Sequence, residues 1–156
     1  MKTRAWTTVV LLTLLPLVAR AEDAPAEAGA RASLSPTGRW RTFDDATGKE
    51  KSVVEIWEKG GKLFGKVVTV LHPKVADPKC DKCEGELKGL PVTGLTMLWD
   101  LKPDGDEYTG GRILDPENGK VYKCKVKVVE GGQKLKVRGF IGLSLLGRTQ
   151  TWTREP

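Results

Sequence analysis

Fold the segment "KVYKCKVKVVEGGQKLKVRGFI" back on itself at Gly131-Gly132, and its residues sort onto two faces. Val128 then lies opposite Leu135, Val126 opposite Val137, Cys124 opposite Gly139 and Tyr122 opposite Ile141, while Lys127 meets Lys136 and Lys125 meets Arg138. Successive residues of a strand point to opposite sides. One face is therefore apolar and the other basic, and a slip of one residue would carry the whole apolar set into water. The same test works at Gly60-Gly61, a turn dipeptide. Trp57 falls opposite Phe64 and Glu55 opposite Lys66, an aromatic pair and an opposite-charge pair of the kind that stabilises antiparallel strands. Val54, Ile56 and Val67 occupy the other face.

These hairpins belong to a series of eight short segments rich in Val, Ile, Thr and aromatic residues, at 40–43, 52–59, 62–71, 92–101, 107–114, 120–130, 133–141 and 148–154. Clusters of Gly, Asp, Asn and Pro separate them, as expected of strands joined by turns. No segment carries a sustained helical period, and only the loop around Cys80 has room for a short helix. Eight sequential strands leave two edges open unless they close on themselves. The expected fold is all-β, an eight-stranded up-and-down antiparallel barrel, with an open sandwich as the competing architecture. A barrel of eight strands is either filled by side chains or holds one small ligand.

The remaining N-terminal part has a different character. Residues 1–21 combine Lys2 and Arg4, an apolar run from Val9 to Val18 broken by Thr13 and Pro16, and Ala19-Arg20-Ala21. That is the pattern of a secretory signal peptide cut after Ala21. Residues 22–37, rich in Ala, Pro and small polar residues, read as a flexible linker, and 38–156 as the barrel domain. Cleavage would remove Lys2, Arg4 and Arg20 and lower the formal net charge from +6 to +3. So modest a charge does not call for nucleic acid, and the basic strands lack the interleaved aromatics on which bases stack. No later stretch is long and apolar enough for a transmembrane helix, so no span is expected after cleavage. The expected location is the periplasm or the extracellular space.

Gly38-Arg39-Trp40 opens the first strand and Arg154 ends the last, in "TQTWTREP". In a closed barrel these strands are neighbours, and Arg154 can lie over the Trp40 ring, a cation–π contact that plugs one end. The Gly-x-Trp and terminal Arg resemble the signature of the lipocalin and calycin barrels. The longer stretches "GRWRTFDDATGKEKSVVEI", "DGDEYTGGRILDPENGKVYKCK" and "LKVRGFIGLSLLGRTQTWTR" resemble the bacterial exported family catalogued as domain of unknown function 2147, from about Gly38 to Arg154. The resemblance implies a lipocalin-like barrel in the cell envelope that binds a small apolar ligand, and it brings no reaction and no catalytic residues.

Export also governs how the cysteines Cys80, Cys83 and Cys124 are read. An oxidising compartment favours a structural disulfide. It would close Cys80 to Cys83, in preference to a tie from either to Cys124. A zinc site would need these thiolates together with His72, the sole histidine. A redox site would need an exposed thiol of low pKa. Asp44 and Asp45 sit in a turn beside Thr47 and Gly48, and His72 has no nucleophile elbow to serve, so no catalytic constellation is evident. No cofactor or metal is expected. Three functional readings follow. The first is noncatalytic binding of a small, largely apolar ligand lined by Val54, Ile56, Val67, Tyr122, Val126 and Val137, with Gly38, Trp40 and Arg154 closing the barrel. The second is an envelope module that binds an anionic component through Lys125, Lys127, Lys136 and Arg138. The third is a thiol or zinc protein centred on Cys80 and Cys83.

Overall fold

The computed structural model describes residues 34–156. The expected signal peptide and most of the expected linker lie outside the described residues. The eight strands are β1 (Gly38–Phe43), β2 (Glu50–Lys59), β3 (Lys62–Val70), β4 (Thr96–Asp104), β5 (Glu107–Asp115), β6 (Lys120–Val129), β7 (Lys134–Phe140) and β8 (Gly147–Arg154). All neighbours are antiparallel and follow chain order. β8 returns to β1, with Trp40 opposite Arg154 and Arg41 opposite Thr153, so the sheet is a closed barrel.

Both test hairpins take the expected register. Trp57 pairs with Phe64 and Glu55 with Lys66; Val126 pairs with Val137 and Cys124 with Gly139. The Trp57 and Phe64 rings stack with centroids 6.0 Å apart on the outer surface. The fourth strand differs from its expected start at residue 92. Gly94 takes φ +87° and donates its N–H to the Val67 carbonyl at 2.7 Å, while Leu95 N–H closes a turn on Val92 at 3.1 Å. Positive φ is open to Gly at no steric cost, and this turn makes 92–95 an irregular lead-in that stays bonded to β3, with Val67 N–H donating to the Leu95 carbonyl at 3.0 Å, before regular pairing begins at Thr96. The loop between β3 and β4 contains the expected short helical element, a single 3-10 turn at Gly85–Leu87.

An up-and-down barrel has two distinct ends. The tight turns after β2, β4 and β6 lie at one end, together with both chain ends of the barrel. The other four connections, after β1, β3, β5 and β7, lie at the opposite end. Inward side chains near the first end are large and buried: Trp40, Val54, Ile56, Leu63, Leu98, Leu101, Val126, Leu135 and Trp152. Burying aliphatic and aromatic groups of this size contributes about 1.5–3 kcal/mol each, so this half of the barrel is its stabilising core.

Candidate ligand site

The closed end is built around Arg154. Its guanidinium carbon lies 4.2 Å from the centroid of the Trp40 ring. Its donors reach three carbonyls: Nε to Gly132 at 2.6 Å, Nη1 to Thr37 at 2.9 Å and Nη2 to Ser35 at 2.7 Å. The Trp40 indole N–H donates to the Pro36 carbonyl at 2.8 Å. Residues 35–37, read from sequence as the end of a flexible tether, are thus strapped across the barrel floor. Gly38 belongs to the same arrangement, because a Cβ there would stand 2.9 Å from Arg154 Nη1 and its φ is +117°. Burial pulls the Arg154 pKa down, the desolvation cost of a cation placed under a floor.

Above this floor the barrel opens into a wide-mouthed cavity. A cavity of about 1230 Å³ runs from the mid-barrel to the end that carries the long loops. Volumes of about 300–1,000 Å³ hold small molecules, so there is room for one ligand. Val67, Tyr122 and Val137 line it, with Met97, Ile113 and Trp152. Val54, Ile56 and Val126, expected in the same wall, do not line it; they are fully buried. Strand alternation sorts residues by face, but it does not say which inward side chains reach the cavity: Val54 stands directly across from Val67 and Val126 from Val137, and only Val67 and Val137 line it.

The wall has polar groups that the sequence reading passed over. Thr42 and Ser52 are cross-strand partners, both buried, with their hydroxyl oxygens 2.7 Å apart. Two hydroxyls carry two protons, and one bond between them uses only one, which leaves an O–H in the cavity wall. Counting two residues on from Trp40, and two back from Val54, would have placed both inward. On β8 a polar ladder climbs from floor to rim. The Trp152 indole N–H donates to Gln150 Oε1 at 3.2 Å, and Gln150 Nε2 donates to the Asp45 carboxylate at 3.2 Å. Arg148 completes the ladder as the ion partner of Asp45. Tyr122, expected among the lining residues, has its phenol oxygen engaged by Asn118 Nδ2 at 3.0 Å near the rim.

The cysteine loop braces one side of the mouth. Cys80 and Cys83 are disulfide-bonded and buried. That bond leaves no thiolates to hold zinc, and the burial of both cysteines does not match the exposed thiol a redox site needs. No group of three or more His, Cys, Asp or Glu residues comes together among the described residues. The loop is pressed against the β5–β6 turn: a Cβ on Gly119 would overlap the Lys82 carbonyl, so only glycine fits there. Leu114, on the outer side of β5, is buried beside this loop. Cys124 is a free thiol sealed inside the barrel, and burial pushes its pKa up to about 12.

The basic face lies on the outside, and neighbouring β5 moderates part of it. Lys125 Nζ bonds Glu107 at 2.9 Å, and Lys127 bonds Asp106. The Lys127 contact lowers the Asp106 pKa, chiefly through its hydrogen bond. Arg138 donates instead to neutral acceptors: the Ser144 carbonyl at 2.7 Å, the Leu145 carbonyl at 3.2 Å and the Thr149 hydroxyl at 2.8 Å. Lys136 makes no ion pair among the described residues.

Comparisons agree with this architecture. A solved structure from the human pathogen Helicobacter pylori, described as belonging to the lipocalin family, superposes with a TM-score of 0.69 at 23% sequence identity, covering 79% of this chain and 84% of that one. At that identity the likeness speaks for the fold: this is a lipocalin-like barrel. No curated protein matches the chain. Residues 38–154, nearly all of the barrel, match the family model described as uncharacterized proteins conserved in bacteria, and the chain belongs to that family, domain of unknown function 2147.

Proposed function

We propose that this protein is an exported carrier that binds one small, largely apolar molecule noncovalently, in or near the cell envelope. The observation that carries the reading is the cavity of about 1230 Å³, sealed at one end by Trp40 and Arg154 and open at the other. A floor of Trp152, Val67 and Met97 suits a hydrocarbon body, since burying apolar surface is the main favourable term. The Thr42–Ser52 pair supplies one donor for a ligand acceptor at mid-depth, and Arg148 with Asp45 sits where a polar end would meet water. Binding pockets commonly combine an apolar wall with a few placed polar groups. Export rests on the pattern of residues 1–21.

Native mass spectrometry of the protein purified from its own cells tests the reading. The expected spectrum shows a chain that begins after residue 21, accompanied by a noncovalently held small molecule that extracts into organic solvent. A chain that keeps residues 1–21 would refute export. A bare mass under gentle ionisation, with no uptake of added apolar compounds, would refute the carrier.

A further inference from the structure

The β7–β8 connection is built unlike the other loops. From 140 to 147 it reads "FIGLSLLG", without a charge, and Ile141, Leu143, Leu145 and Leu146 are 67%, 71%, 86% and 77% exposed. Contiguous exposed aliphatic groups mark interaction surfaces. These stand at the open end, and Ile141, Leu145 and Leu146 also form part of the cavity mouth.

The geometry points to a lipid bilayer with anionic headgroups as the partner of this loop. Three observations converge on it. First, three carbonyls of the loop, those of Leu143, Ser144 and Leu145, already have donors. Leu146 N–H bonds the Leu143 carbonyl at 3.0 Å, and Arg138 takes the Ser144 and Leu145 carbonyls. Each carbonyl satisfied in this way lowers the cost of moving the loop from water to the edge of the acyl layer, where lipid offers no partners. Second, the adjoining outer face is cationic. Residues 120–154 contain one acidic residue, Glu130, and it lies in the turn at the opposite end of the barrel. Third, the compensation of the basic face is uneven. Glu107 and Asp106 neutralise Lys125 and Lys127. Lys123, directly across from Phe140, and Arg138 have no carboxylate partner among the described residues, and they flank the loop. Positive charge beside a membrane attracts anionic headgroups, while the leucines enter the layer beneath. Seated this way, the barrel opens onto the phase in which apolar molecules dissolve, an extension that rests on the carrier reading above.

Cosedimentation with vesicles tests the docking. The wild-type protein is expected to bind phosphatidylcholine vesicles that contain phosphatidylglycerol, and to bind pure phosphatidylcholine more weakly. Leu143→Ser is chosen because Leu143 is exposed and does not line the cavity. It should weaken binding about tenfold, the scale set by one leucine's transfer from water. Lys123→Glu should abolish the preference for the anionic vesicles. Failure of the wild type to bind either vesicle, or undiminished binding by Leu143→Ser, would overturn the proposal. So would a wild-type dimer that Leu143→Ser turns into a monomer, because the loop would then face a second copy. Uptake of an apolar dye without vesicles is measured alongside. If dye uptake fails while vesicle binding persists, the carrier reading falls and the docking stands.

Discussion

Arg154 ties the two ends of the barrel sequence together. It binds carbonyls from the strap before β1 and from the β6–β7 turn, and it covers the Trp40 ring. Replacing it with Ala would strip several partly buried carbonyls of their donor at once. We expect Arg154→Ala to lower stability by about 3 kcal/mol in chemical denaturation, because hydrogen bonds to charged groups are each worth about 1.5–3 kcal/mol. Arg154→Lys should restore only part of this, since an ammonium lacks the planar fork. A change too small to measure in the alanine variant would remove the floor from the account. Cys124 makes a second prediction. Its thiol is favoured as the neutral form in the fold, with a pKa of about 12 against 9.0 for an ordinary thiol. The unfolded chain therefore ionises first. The contribution to stability is intact below pH 9 and is lost as pH rises towards 12, amounting to a few kcal/mol. Cys124→Ala should flatten that alkaline decline relative to wild type. In the native protein at neutral pH, Cys124 should resist thiol reagents that label it at once in denaturant.

At the scale of elements, the hairpins were fully legible. A Gly-Gly tip and a two-residue period leave one register that buries Val126, Val128, Leu135 and Val137 together, and the barrel uses that register. The fourth strand's start was less legible, because Val92 and Leu95 look like strand residues locally. What breaks the regular pairing is the turn at Gly94, with its positive φ and the Leu95 N–H closing on Val92, which the apolar pattern does not announce. The cysteine loop combined the two cases. Spacing allowed the Cys80–Cys83 bond, but the docking of the loop on Gly119 depends on a turn 30-odd residues away. A bond that closes so short a ring removes little chain entropy. Cys80→Ala with Cys83→Ala should cost no more than about 2 kcal/mol globally. Amide exchange should speed up chiefly in residues 78–92, while strand amides keep their protection. Equal loss of protection throughout the barrel would mean that the loop is part of the core.

For the whole molecule, alternation and the Trp40–Arg154 pairing were enough to indicate closure, and the closed topology follows from them. Whether the interior was filled depended on what alternation omits. Inward positions near the floor carry Trp40, Leu63, Leu98 and Leu135 and pack solid, whereas those nearer the mouth carry Thr42, Ser52 and Gly139 and leave space. Val54, Ile56 and Val126 were assigned to the ligand for this reason, although none of them lines the cavity. On the reading proposed above, the upper half of the barrel is a binding cavity. That reading is tested most directly by titrating the purified protein with an uncharged naphthylamine dye, comparing wild type with Val137→Trp, which fills the middle of the cavity. The account predicts saturable binding of one dye per chain to the wild type. It predicts at least tenfold weaker binding to Val137→Trp with the circular dichroism of the barrel unchanged. No saturable binding to the wild type, or equal binding to the folded variant, would contradict it.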